Sequence, residues 1–419
     1  MQKNSETKIF DLTMFVGRLL HSEKIIQTSD TEPFVLKSGE KSNVYVDLRS
    51  AFDKPKLFAL LVELLVRKIR DRFRNSEIPQ LAVCGVPYGA VPYATAVAEK
   101  LQIPLLFLRK ERKMYGMGNL IESSSPHNRV VLIEDVVTTG GSVKEAVMAL
   151  SEEGYTVVDV VSILSRSKVS GVRSCFDEQF LNPSFLTQTK KYWSKKWDII
   201  EKKSGIVYAT DTFLKDPDAI GCPNLDAILK NRGKLAGIKV HPEIHGRNYY
   251  MIPRWLNPKQ TEIFWNDRKY CDIASVAREQ IRCFSENCHD EDEYGFNFIS
   301  VCPVSGPDLL ALDVQPGILV LIEMSSEGNL LTPSITASIL TWIEENAENI
   351  SGIICQSPIF FDLPFPIFCP GVNLGATRGD GQGQQYRNYF DLVKLPNRPD
   401  FFVMGRAITD DPDFFSKIE

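Results

Sequence analysis

Short apolar runs rich in branched residues recur along this chain, and most are separated by stretches of helical period. That alternation is the strongest constraint on the fold, because strand–helix–strand repeats pack as a mainly parallel sheet. In the first half, ALLVELLVRKI has helical period, while LAVCGV, VVLIEDV and VVDVVSIL read as strands. After VTTGGS a helix is expected, with Val143, Ala146, Val147 and Leu150 on one face and Gly154 at its end. The stretch 167–204 breaks the pattern, being polar and lysine-rich.

A second series follows: SGIVYATD, LAGIKV, TEIFWND, NFISVC, GILVLIEM, ISGIICQ, FPIFCPGV and FFVMGR. Eight such strands are the count of a (β/α)₈ barrel. The 419 residues suit two domains better than one core. The division expected is 1–185 for the first domain, 186–204 for a linker and lead-in helix, and 205–419 for the barrel. A net charge of -5 without charged blocks argues against nucleic acid or an anionic membrane as partner. No apolar run reaches membrane-spanning length, and the amino terminus lacks a secretory pattern. The nine cysteines are an odd number in a large chain, which favours reduced thiols and a cytoplasmic protein. Cys283, Cys288 and His289 invite a zinc reading, but no second ligand pair follows at suitable spacing.

The densest chemical signal of the first half is VLIEDVVTTGGS, residues 131–142. Two acids, Glu134 and Asp135, precede a turn of small hydroxyl residues and glycines. Gly140 and Gly141 allow close approach of an anion. Free amides at the helix start, with Thr138, Thr139 and Ser142, can hold a phosphate. The acids can take ribose hydroxyls or a magnesium ion, Asp135 being the candidate ligand. A capped turn without ligand is the bland alternative. This segment resembles the phosphoribosyl-pyrophosphate (PRPP) motif of type I phosphoribosyltransferases.

Three further segments resemble the orotate branch of that family. LKSGEKSNVYVDLR, residues 36–49, resembles its orotate-binding segment, so that Lys37 and Tyr45 would flank the base. GVPYGAVPYATAVA, from Gly85, is similar to its pyrophosphate-side loop and contains Tyr88. FLRKERKMYGMGNLIE, from Phe107, is similar to its mobile catalytic loop, with Arg109 and Lys110 on PRPP and Lys113 catalytic. Arg166 stands where the family holds the orotate carboxylate, preceded by Ser165 in place of an Asp. The resemblance implies Mg²⁺ for this step and a dimer whose loop reaches the neighbouring subunit.

In the second half, NDRKYCDI places Asp267 and Lys269 two apart, on one face if they lie on a strand. Asp272 lies beyond the strand end, and IKVHPEI supplies Lys239 at the end of another strand. The carboxyl ends of strands are where such barrels keep their chemistry. DRKYCDI resembles the signature of orotidine-5′-phosphate decarboxylases. The resemblance makes Lys239, Asp267, Lys269 and Asp272 a catalytic charge tetrad, with Asp272 entering the partner's site. It places Asp211 and His241 at the ribose and Ser325 at the pyrimidine. Gln384, Tyr386 and Arg406 take the phosphate of orotidine monophosphate (OMP), and no cofactor is needed. Glu243 and Val276 depart from the family's Asp and Thr, and the last barrel helix is expected to be short.

The expected architecture is α/β: a type I phosphoribosyltransferase parallel-sheet domain followed by a (β/α)₈ TIM barrel. The domain order implies a bifunctional enzyme of pyrimidine biosynthesis. It would convert orotate and PRPP to OMP and pyrophosphate, then OMP to uridine monophosphate (UMP) and CO₂. The alternative is an active transferase with a degenerate, non-catalytic barrel.

Overall fold

A computed structural model describes residues 8–35, 41–111, 120–123, 125–186, 190–198, 205–210, 230–241, 263–286, 296–375, 385–411 and 413–418. The chain divides into two compact units, Leu12–Gln188 and a second made of Met1–Asp11 with Thr189–Glu419.

The first unit runs α1 (Leu12–Ser22), β1 (Ile26–Thr28), β2 (Phe34–Val35), β3 (Lys41–Ser42), β4 (Val44–Val46), α2 (Pro55–Arg70), β5 (Leu81–Gly85), α3 (Val91–Leu101), β6 (Leu105–Leu108), β7 (Ile121–Glu122), β8 (Arg129–Val137), α4 (Gly141–Glu152), β9 (Thr156–Ser165) and β10 (Val172–Phe176). Six strands form one sheet in the order β10-β9-β8-β5-β6-β7. Every neighbouring pair is parallel except β6 with β7. β5 is buried at each position, as expected of a central strand covered on both faces. In α4, Val143, Ala146 and Leu150 are buried and Val147 is half-buried. Gly154, at φ +86°, follows the end of this helix.

The second unit holds β11 (Ile206–Ala209), β12 (Gly237–Val240), β13 (Ile263–Tyr270), α5 (Ala274–Glu286), β14 (Phe298–Val301), β15 (Gly317–Leu321), α6 (Pro333–Glu345), β16 (Ile350–Ile354), β17 (Ile367–Cys369), β18 (Val372–Asn373), β19 (Arg387–Asn388), α7 (Tyr389–Leu392), β20 (Phe401–Met404), α8 (Arg406–Thr409) and α9 (Phe414–Lys417). β11 to β17 and β20 close into a parallel barrel, and each expected apolar run supplies one strand, in order. Val207, Ile263, Trp265, Phe298, Leu319, Phe368 and Phe401 belong to one buried cluster inside it.

Residues 190–198, whose composition suggests a linker, pack into this barrel. The indole of Trp197 stacks on Phe401 with centroids 5.2 Å apart and planes 7° apart. It also meets Phe298 at 4.7 Å. Its N–H donates to the Ser351 carbonyl at 2.8 Å. Phe298 and Phe401 open their strands, so Trp197 fills the amino-terminal end of the barrel and leaves the carboxyl-terminal end for chemistry. Residues near the amino terminus also belong to this unit: Lys8 pairs with the buried Glu344 at 2.5 Å, and Phe10 meets Phe365 edge-on.

Candidate active sites

In the first unit, β8 carries Glu134 and Asp135 inside its last turns of extended chain and ends at Val137. Thr138 and Thr139 are exposed, Gly140 adopts φ +80°, and α4 starts at once with Gly141 and Ser142. No side chain caps that helix start, so its first amides face solvent as donors for an anion. Glu134 is buried. Burial, then hydrogen bonding and repulsion from Asp135, push its carboxyl well above the ordinary range. It accepts the Asp135 backbone N–H at 2.9 Å. Asp135 is half-buried and is fitted against Gly89: a Cβ at position 89 would lie 2.0 Å from its Oδ2. Glycine at 89 is therefore required for this carboxylate position.

The remaining first-site candidates converge from neighbouring segments. Tyr88 is exposed, and the Lys110 ammonium lies 5.6 Å from its ring centroid. Arg109 pairs with Glu122 across the β6–β7 hairpin at 2.6 Å. Arg166, at the end of β9, donates to Ser42 Oγ at 3.1 Å. Ser167, next in the chain, donates to the Thr138 carbonyl of the phosphate turn. Tyr45 lies tilted against Phe34 with ring centroids 5.6 Å apart, on the strands next to Ser42. Ser42 thus orients Arg166, a role not read from the sequence; Ser165 instead bonds the Ser167 carbonyl at 2.5 Å. Lys37 and Lys113 lie outside the described residues.

In the barrel, Asp267 is the hub. Its Oδ2 accepts from Lys239 Nζ at 2.8 Å and from Lys269 Nζ at 2.9 Å. Its Oδ1 accepts from Ser300 Oγ at 2.5 Å, and Ser300 in turn accepts the Trp265 indole N–H at 2.7 Å. His241 Nε2 lies 3.0 Å from Lys239 Nζ. Burial alone would raise the Asp267 carboxyl. The Lys239 and Lys269 ammoniums, with His241, outweigh burial and hold it below the usual carboxylate range. The carboxylate therefore stays ionised while buried, and it fixes two cations at one point.

The regular alternation expected of this strand does not hold here. Asn266 pairs with Ile299 and Tyr270 with Val301, so β13 bulges between them. Lys269 sits in that bulge at φ +60°, the left-handed region. Asp267 and Lys269 converge because the strand is kinked, not because it is regular. Arg268 N–H to Asn266 Oδ1 at 3.0 Å and Asn266 Nδ2 to Tyr270 OH at 3.2 Å brace the bulge.

Asp272 does not join this cluster within the chain. It is exposed, its Oδ1 accepts the Ile273 N–H at 2.7 Å, and its carbonyl accepts Ser305 Oγ. Val276 is also exposed.

A second group gathers beyond the ends of β15, β17 and β20. The Ser325 carbonyl accepts the Gln385 N–H at 2.9 Å. Arg406 stacks over Tyr386 at 5.6 Å and donates to its hydroxyl. Gln356, also unread from sequence, ties the Pro370 and Gln385 carbonyls together at 2.9 and 3.1 Å. The buried Glu323 fixes the turn behind it, accepting from Gln356 N–H, Ser357 N–H and Ser357 Oγ. A lone polar residue closing an apolar run, as in ISGIICQ and LIEM, was the available signal. Asp211, Gln384 and Glu243 lie outside the described residues, as do Cys288 and His289. Among the described residues no group of three His, Cys, Asp or Glu side chains could hold a metal, and no helix is long and apolar enough to cross a membrane.

A parallel sheet with a phosphate-binding turn, followed by a barrel with a lysine–carboxylate hub, defines a two-domain nucleotide-synthesis enzyme. Residues 50–189 match the phosphoribosyl transferase domain family. Residues 228–418 match the orotidine 5′-phosphate decarboxylase / HUMPS family. The uridine 5′-monophosphate synthase of Bos taurus is 28% identical, with 94% of this chain and 93% of that protein aligned. The one of Caenorhabditis elegans is 28% identical over 90% and 88%. The orotate phosphoribosyltransferase of Methanocaldococcus jannaschii is 41% identical over 39% of this chain and 84% of its own length. The chain belongs to the uridine 5′-monophosphate synthase family, with an orotate phosphoribosyltransferase domain followed by an orotidine-5′-phosphate decarboxylase barrel. Both halves are matched, and nothing supports a degenerate barrel.

Proposed function

We propose that the chain joins orotate to PRPP, releasing pyrophosphate, and then decarboxylates the resulting OMP to UMP. The observation that carries this reading is the single Asp267 oxygen held 2.8 and 2.9 Å from two lysines at the ends of neighbouring strands. In the first step the amides and hydroxyls of residues 138–142 bind the 5-phosphate. Arg109, Lys110, Tyr88 and Lys113 meet the pyrophosphate, and Lys37, Tyr45 and Arg166 hold orotate. The ribose carbon becomes cation-like as pyrophosphate leaves, so cations on the leaving oxygens lower the barrier. The half-buried Asp135 carboxylate would hold a magnesium ion brought with PRPP, and such an ion would neutralise leaving-group charge.

In the second step the bond from C6 to the carboxylate breaks, CO₂ departs and the electron pair stays on C6. The Lys269 ammonium stabilises that pair and donates its proton to C6. Asp267 holds both lysines in place before substrate arrives. Tyr386, Arg406 and Gln384 bind the phosphate, Ser325 the pyrimidine, and Asp211 with His241 the ribose. Asp272 stands apart from the hub within one chain, which fits a homodimer in which it completes the partner's site. A cytosolic location fits the free cysteines among the described residues.

The test supplies orotate, PRPP and Mg²⁺ and follows pyrophosphate and CO₂ together. Wild type releases both. Lys269→Ala should abolish CO₂ release and leave pyrophosphate release near normal. Pyrophosphate without CO₂ from the wild type refutes the second step.

A further inference from the structure

The catalytic strand of the barrel ends in an exposed thiol, Cys271, placed between Lys269 and Asp272. The adjacent strand ends in a second thiol. Tyr270 pairs with Val301 in the parallel ladder, and the Cys302 N–H donates to the Tyr270 carbonyl at 2.9 Å. Cys271 and Cys302 are therefore the next residues along two neighbouring parallel strands. Such strands lie about 4.8 Å apart, within the roughly 4.4–6.8 Å between Cα atoms that a disulfide spans. The thiols are in electrostatic reach of each other: burial first, and Cys271 second, push the Cys302 thiol up to about 11, while Lys269 acts the other way. Cys271 is the one exposed thiol among the described free cysteines. Cys84, Cys175 and Cys369 are buried, and burial pushes each up to about 12.

We propose that Cys271 and Cys302 are an oxidative modification site, closing into a disulfide under peroxide and switching off decarboxylation while phosphoribosyl transfer continues. The Cys271 thiolate attacks a peroxide oxygen, the O–O bond breaks, and hydroxide leaves as water after protonation. Cys302 then attacks the Cys271 sulfenic sulfur, the S–S bond forms, and the sulfenic oxygen leaves as water. One hydrogen peroxide is reduced and two thiols are oxidised. The bond ties the end of β13 to β14 immediately after the bulge. Lys269 is held there in left-handed backbone and has little freedom to keep its place when the next turn shifts. The cross-link itself does not depend on the decarboxylase reading; its effect on turnover does.

The experiment exposes the full chain to hydrogen peroxide, blocks free thiols, digests the protein and maps linked peptides by mass. A peptide joining Cys271 to Cys302, absent after dithiothreitol, is expected. Decarboxylation of supplied OMP should fall about 10²-fold, the scale set by an ångström-sized displacement of a catalytic group. It should recover with dithiothreitol, and pyrophosphate release should persist. Cys271→Ser, and independently Cys271→Ala, should keep decarboxylation through the same exposure. Absence of the 271–302 peptide, or pairing of Cys271 with another cysteine instead, overturns the site. A complete 271–302 link with undiminished decarboxylation overturns the switch. An untreated chain that releases no CO₂ speaks only against the decarboxylase assignment, because the peptide map is read without turnover.

Discussion

Lys239→Met is the sharpest probe of the barrel hub. Methionine keeps an unbranched stem in the space beside Trp265, whose ring centre lies 5.8 Å from the ammonium. It removes the charge 2.8 Å from Asp267 Oδ2. Both side chains are buried, with 10% and 5% exposure. At an effective dielectric of about 20 the attraction at this distance is on the order of 6 kcal/mol. Much of that offsets the desolvation of the lysine, which methionine does not suffer. Removing one partner of a buried pair typically costs about 3–5 kcal/mol, because the other charge stays behind. Lys269 remains 2.9 Å from the same oxygen, so the expected loss lies near the bottom of that range, about 3 kcal/mol. A pH signature accompanies it. The native pairing depresses the Asp267 carboxyl, so its stabilisation is present above the ordinary aspartate value of about 3.9 and fades as pH falls towards the depressed one. The gap between wild type and variant should therefore be full at neutral pH and shrink below about pH 4. All five tryptophans lie at position 193 or later, so urea unfolding followed by tryptophan fluorescence reports the barrel unit alone. A loss under about 1 kcal/mol at neutral pH would refute the buried-pair argument. So would a loss that does not change with acid.

Gly89→Ala puts a methyl on the Asp135 carboxylate at 2.0 Å; the carboxylate can swing aside, so stability should change by under about 1 kcal/mol. Pyrophosphate release should fall at least about tenfold while decarboxylation of supplied OMP is unchanged. Glu134→Gln tests the buried acid: wild-type Glu134 is neutral when folded up to about 9 but ionised when unfolded above about 4.3. Wild-type stability therefore declines with rising pH across that window at up to about 1.36 kcal/mol per pH unit, and the glutamine variant should be the more stable by up to about 5 kcal/mol at pH 8 and level with wild type near pH 4, read from thermal inactivation of the transferase. Trp197→Ala empties the amino-terminal end of the barrel, which should cost about 3–5 kcal/mol. Decarboxylation should then be lost at a lower temperature than transferase activity.

The barrel was legible because its strands are buried on both faces, so each reads as an apolar run with no alternation to confuse it. The phosphate turn was legible because residue types alone dictate it: two acids, two threonines and two glycines at a strand–helix junction. Other features leave no such trace. A period of two cannot announce a bulge, and a lysine at φ +60° has no compositional mark, since glycine is the residue that signals that region. Ser300 passes unnoticed in NFISVC, yet it donates to the other oxygen of the Asp267 carboxylate. Lysines around Trp193 and Trp197 masked a plug as a linker; Trp197 and Ser194 are buried against the barrel, while Lys191 pairs with Asp400. Ser42 and Arg166 are 124 residues apart, and their contact is a property of the folded sheet.

The departures from regularity cluster where the charges do, and this has a physical reason. A buried carboxylate with two ammoniums on one oxygen is a poor way to stabilise a barrel, since apolar residues of equal volume would do as well or better. The left-handed backbone at Lys269 adds strain of about 1–3 kcal/mol. Both become useful only when a carbanion forms beside Lys269. At that moment the ammonium is already held against Asp267 and aimed, so little reorganisation remains to slow the step. A strained lysine has one position set by its neighbours, so the β13 terminus controls the chemistry more than any distant part of the barrel. Relief of that strain in a Lys269→Gly chain should leave the barrel at least as stable as Lys269→Ala, since glycine adopts positive φ freely. If the alanine variant proves clearly the more stable of the two, the bulge stores no strain and the preorganisation argument loses its structural basis.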